Sequence, residues 1–126
     1  MFDAQALITS NSIEIFSPWM PRGGDLARLT LDAISFGQTG GGVAELSVRA
    51  FTKNTQDTGD GADADTSVSI VRTTEGRTTE EWGSTASTGF KELVRYKFTL
   101  TNNSDVGTVW VLFRMLTPVW FDAVRT

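Results

Sequence analysis

Apolar residues recur along this chain at every second position, the spacing of strands and not of helices. The pattern is plainest over residues 91–101, where Val94, Tyr96, Phe98 and Leu100 alternate with Arg95, Lys97, Thr99 and Thr101. Over 43–52 the inward set is Ala44, Leu46, Val48 and Ala50, and the outward set is Glu45, Ser47, Arg49 and Phe51. Residues 26–36 place Ala27, Leu29, Leu31 and Ala33 on one face, then switch to Ile34 and Phe36. A change of face within one strand predicts a β-bulge or bend. The alternative is a short helix capped by Asp25, with Leu26, Leu29 and Ala33 on its face, but Thr30 and Ile34 favour a strand. Residues 12–16, 67–72 and 4–9 are shorter strand candidates.

The run 108–121 reads TVWVLFRMLTPVWF, with Arg114 its one charge. Val109, Val111, Phe113 and Met115 continue the stripe of 91–101 and belong in a core. Trp110, Leu112 and Leu116 are left over on the second face, with Trp120 and Phe121 beyond Pro118. A half-buried strand alternates apolar with polar, so this second face calls for a cover. A second sheet, the N-terminal segment or another subunit could supply it. Residues 1–16 are an arm that either folds onto its own domain or reaches into a neighbour's.

Punctuation separates the strands. Residues 17–24 form a Pro- and Gly-rich corner, 37–42 a glycine turn, and 53–66 and 75–88 polar loops, the second with Trp82 in its middle. Asn102, Asn103, Ser104, Asp105 and Gly107 supply turn chemistry that predicts a hairpin between the last two long strands. About seven to eight short strands without a helical pattern predict an all-β fold. The expectation is one domain over 1–126, an antiparallel β-sandwich of Greek-key or jelly-roll type. The two long loops suit crossovers between sheets better than the short turns of a closed barrel.

Composition narrows the chemistry. A chain of 126 residues supports one core. A net charge of −4 with eleven scattered Lys and Arg argues against nucleic acid as a partner. No apolar stretch reaches the roughly 18–20 residues of a spanning helix, and the N-terminal segment lacks a basic start and apolar run. The expectation is therefore a cytoplasmically made chain with no signal peptide and no membrane partner.

Cysteine and histidine are both absent, which excludes disulfides, thiolate chemistry, Ser–His nucleophiles and histidine-ligated metals. Carboxylates remain. Asp32 falls on the polar side of its strand, and Glu80-Glu81 stand beside Trp82. Neither makes a catalytic constellation, so the expectation is no enzyme and no cofactor. Asp57, Asp60, Asp63 and Asp65 put four carboxylates within nine residues, a weak calcium candidate. Their order lacks the calcium-loop pattern and its closing glutamate, and solvated turns explain them as well. Trp19 and Trp82, in a corner and a loop, are candidates for stacking on a sugar or anchoring a partner, against the alternative that each caps the core. Asn102-Asn103-Ser104 matches a glycosylation sequon but is most simply a turn.

DLARLTLDAISF, a glycine turn, VAELSVRAFTKNTQDTGDG and later FKELVRYKFTLTN together resemble small β-sandwich proteins of tailed phages and gene-transfer particles. In those, a paired strand–turn–strand with a Gly/Asp loop precedes a late aromatic strand. The resemblance implies a non-enzymatic virion component, foremost a head decoration or auxiliary protein, or else a tail or spike module. Its partners would be other copies of itself and capsid or tail proteins, with Trp110, Leu112, Leu116, Trp120 and Phe121 as the interface. Bacterial carbohydrate-binding sandwiches share the pattern. They imply an alternative, a module gripping a surface glycan through Trp19 and Trp82, with calcium assisting.

Overall fold

The two stretches with the cleanest alternation lie side by side. In the computed structural model, which describes residues 4–66, 68–82 and 90–122, β5 (Ala44–Lys53) and β9 (Leu93–Asn102) pair antiparallel, with Leu46 opposite Leu100 and Val48 opposite Phe98. Flanking β9 are β2 (Ser12–Phe16) and β3 (Met20–Pro21); flanking β5 are β6 (Ala62–Asp63) and β7 (Ile70–Arg72). These strands form sheet B. Sheet A runs β1 (Gln5–Thr9), β10 (Thr108–Met115), β4 (Leu26–Thr39) and β8 (Gly76–Trp82), with β11 (Val119–Phe121) pairing the start of β4. The fold is an all-β antiparallel sandwich. Its strand orders, β1-β10-β4-β8 and β2-β9-β5-β6/β7, are those of a jelly roll.

The core is the meeting of the predicted stripes. Val94, Tyr96, Phe98 and Leu100 face Val109, Val111, Phe113 and Met115, all buried, with the Phe98 and Phe113 rings 4.8 Å apart. Each large apolar side chain so enclosed stabilises by roughly 1.5–3 kcal/mol relative to exposure. The face switch in 26–36 is a bulge. Leu112 pairs with Ser35 and Phe113 with Ala33, so Ile34 is the extra residue and is exposed, while Phe36 returns to pack against the core. The helix alternative does not occur. Beside the bulge, Glu75 Oε1 accepts the Phe36 N–H at 3.0 Å, which holds its carboxyl below the usual range.

Several connections differ from expectation. Residues 103–107 do not close a hairpin, because β9 belongs to sheet B and β10 to sheet A. The link is a corner, tied by the buried side chain of Asn102. Its Nδ2 donates to the carbonyls of Ser10, Val106 and Gly107 at 3.0–3.2 Å, and its Oδ1 accepts the Val43 and Ser104 N–H groups at 3.0 Å. Gly107, at φ +82°, passes so close to the Thr39 carbonyl that a Cβ there would collide with it. The strands 26–36 and 43–52 likewise separate into different sheets, across residues 40–43. The loop 53–66, expected to cross between sheets, stays within sheet B, since β6 and β7 both return to β5. Part of the supposed loop 75–88 is β8. The N-terminal segment folds onto its own domain, β1 on β10 and β2 on β9.

Candidate functional site

The outward side of sheet A carries the leftover residues of the terminal run. Trp110 and Leu112 project from β10 into solvent, each 37% exposed. Ile8 stands opposite Trp110 on β1 and is 64% exposed; Ala6, also exposed, stands opposite Leu112. On its other side Trp110 faces Gly37 of β4 and lies across it, where a Cβ would run into the indole. Only a glycine gives the ring that seat. Arg114, the one charge of the run, is explained by Asp32 directly across the pair. Its Nε meets Asp32 Oδ2 at 3.0 Å, and Arg77 Nε lies 3.6 Å from the same oxygen. The result is an apolar strip, Ile8–Trp110 beside Ala6–Leu112, next to a linked cluster of two arginines and one aspartate.

Not every residue expected at this face belongs to it. Leu116 is half-buried, and its N–H donates to the Thr30 carbonyl at 3.0 Å. Trp120 turns inward: it pairs with Ala27, packs against the core and sets its ring 5.1 Å from that of Phe90. The two-residue period from Pro118 decides this, sending Trp120 in and Val119 and Phe121 out. Phe121 is exposed, with the Arg28 guanidinium 5.1 Å from its ring centre.

Trp82 is the clearest correction. It ends β8 opposite Ala27 and is fully buried, so it offers no ring to a sugar or a partner. Polar neighbours made its segment read as a loop. That segment is an edge strand whose outward residues are solvated, and only the tryptophan reaches the core. Its indole Nε1 is enclosed without an acceptor among the described residues. With Trp82 turned in, Glu80 and Glu81 flank no exposed ring; Glu81 pairs instead with Arg28 at 3.7 Å.

The four aspartates of the calcium candidate are dispersed among separate tasks. Asp57 Oδ2 accepts the Asn54 N–H at 2.9 Å, which closes a turn. Asp60 lies 3.5 Å from Arg95, and Asp63 pairs with Arg49 at 2.9 Å. Asp65 is buried. Among the described residues no group of three or more Asp or Glu side chains is placed to hold a metal ion. The sequon is also accounted for, since the Asn102 amide is enclosed and fully engaged in the corner.

Trp19 remains at a surface, but in company that the sequence did not disclose. It is half-buried over the outward side of sheet B, with Lys53 Nζ 4.7 Å and the Arg95 guanidinium 4.5 Å from its ring centre. Arg95 also lies 4.0 Å from the centre of Phe16, and Phe16 meets Phe51 edge to face at 6.2 Å. The signal for Phe51 was present, an aromatic on the polar face of its strand. Its convergence with Phe16 depends on strand pairings that periodicity does not give.

A comparison with models of known protein families finds no match, and a comparison with characterised proteins finds none either. Among solved structures, the carbohydrate-binding module TmCBM61 in complex with β-1,4-galactotriose aligns with 90% of this chain and 69% of its own, at 12% identity and a TM-score of 0.43. A likeness this slight carries no argument about ligand or activity.

Proposed function

We propose that this chain is a non-enzymatic structural protein of a virion or virus-like particle, a head decoration or auxiliary protein, that works by docking the outward side of sheet A on other copies of itself and on a capsid or tail protein. The observation that carries this reading is the strip formed by Ile8, Trp110 and Leu112. These large apolar side chains stand exposed and adjacent on a regular sheet, where a monomer would present polar residues. Scattered exposed apolar residues need no explanation; neighbours on paired strands do. The charges beside the strip, Arg114, Asp32 and Arg77, are tied to one another through the Asp32 carboxylate and leave the apolar strip itself free of charge. A jelly roll serves viral shells and lectins alike, so the architecture supports this reading without selecting it.

Sedimentation velocity over a range of concentrations tests it. The expected result is a discrete species heavier than the 13.7 kDa monomer. Leu112→Lys should shift that species towards monomer while circular dichroism stays unchanged, because the side chain lies outside the core. A chain that sediments as a monomer at its highest soluble concentration would overturn self-association.

A further inference from the structure

The outward side of sheet B is built on different lines from that of sheet A. Pairing of β5 with β9 sets Lys97 directly opposite Arg49, Arg95 opposite Phe51, and Lys53 opposite Leu93. Four of the eleven basic residues of a net acidic chain thus stand on two adjacent strands. Like charges directly opposite one another destabilise a sheet. Here each of the two facing cations is offset by a carboxylate from a neighbouring strand, Asp63 for Arg49 and Glu14 for Lys97, so the row depends on those partners.

Aromatic rings hold these cations in place. The Arg95 guanidinium lies against both Phe16 and Trp19, and its side chain is only 13% exposed despite an outward strand position. Its Nε is enclosed without an acceptor among the described residues. Lys97 Nζ lies 5.7 Å from the centre of Phe51. The acids around them differ in how firmly they are held. Asp63 takes Arg49 at 2.9 Å and also accepts the Asp65 N–H at 3.1 Å. Glu14 on Lys97, at 3.2 Å, and Asp60 on Arg95, at 3.5 Å, are exposed carboxylates in surface pairs, which stabilise little. Arg95 is held further by a bond from its guanidinium to the Asp60 main-chain carbonyl at 3.2 Å, which leaves Glu14 on Lys97 as the loosely held carboxylate.

We propose that this face binds an acidic saccharide, a chain of uronic acid residues. A ligand carboxylate takes the place of Glu14 on Lys97 and reaches Arg49, and the apolar face of a sugar ring lies against Phe51 and Phe16. Ser47 and Thr99, opposite one another in the next outward row, supply hydroxyls to the ring's own. The mixture selects this chemistry over a polyphosphate. Glu14, Asp60 and Asp63 rim the site and would repel a closely spaced line of phosphates, whereas one carboxylate per ring matches a few cations set among aromatics. Cations already pinned by rings lose little freedom on binding, which favours affinity. The site uses none of the sheet A strip and stands whether or not the chain self-associates.

Titration calorimetry and affinity electrophoresis with polygalacturonate, alginate and hyaluronate, set beside neutral galactan, test the proposal. Binding to at least one polyuronate is expected, weaker at high salt, with no comparable binding to galactan. Lys97→Gln and Phe51→Ala should each reduce it by about tenfold or more, while Leu112→Lys leaves it unchanged. Circular dichroism and melting temperature establish that each variant is folded; Lys97→Gln removes the charge while keeping a polar side chain with part of the stem, and the test rests on it. Failure to bind any of the three polyuronates, equal binding to galactan, or full affinity in Lys97→Gln would each overturn the proposal.

Discussion

Asn102 ties the corner between the two sheets with a single buried side chain. One amide group bonds three carbonyls and two N–H groups from three separate segments, all at the point where the chain leaves sheet B for sheet A. Alanine there would strand buried backbone groups without partners, a loss of about 1–3 kcal/mol for each group not reached by water. Asn102→Ala is therefore expected to lower stability by roughly 2–4 kcal/mol in urea denaturation. Asn102→Asp should not rescue it, because a carboxylate cannot donate to the Ser10, Val106 and Gly107 carbonyls. Equal stability of wild type and Asn102→Ala would refute this account of the corner. Trp82 shows the opposite case, a residue whose neighbours in sequence misrepresent its neighbours in space.

At the scale of elements, legibility followed the contrast between the two faces of each strand. β5, β9 and β10 bury one face completely, so their period of two and their inward residues could be read directly. β8 is an edge strand with polar residues on both sides until Trp82, and nothing in RTTEE distinguishes it from a loop. Sheet membership was not legible at all. A glycine or asparagine turn fits a hairpin and an inter-sheet corner equally well, and the difference lies in contacts such as those of Asn102. The sheet B face was half legible: Phe51 and the row of cations were visible as outward residues, but their alignment required the register of β5 on β9. The seat of Trp110 over Gly37 belongs to the same scale, since it joins β10 to β4. Gly37→Val should displace the indole and lower stability by about 1–3 kcal/mol. The penalty should largely vanish in a Trp110→Ala background, a double-mutant cycle that isolates the contact. Equal penalties in both backgrounds would show that the glycine serves the backbone alone.

Over the whole molecule, the single tyrosine reports on the sandwich. Tyr96 sits between the sheets on β9, and burial pushes its phenol well above the ordinary range near 10. The unfolded chain, with an ordinary phenol, sheds its proton first. Stability should therefore be unaffected by this group below about pH 10 and fall as pH rises beyond it. Ultraviolet titration of tyrosinate is expected to stay silent until the protein unfolds, the two signals rising together. A normal phenol titration with the fold intact would contradict the placement of Tyr96.

The strand order has a consequence for how the molecule is made. β9 and β10, each a central strand of its sheet, come late in the chain, and among the described residues β1 and β2 pair with no strand but these. Before they emerge from a ribosome, the native pairings open to the described strands are β4 with β8 and β5 with β6 and β7. Most of the polypeptide must wait with the apolar rows of β4 and β5 in water. Closure then pairs β1 with β10 and β2 with β9 across most of the intervening chain, the kind of long-range contact that makes β-sandwiches slow folders. Exposure during that interval makes the order of synthesis an aggregation hazard of this topology.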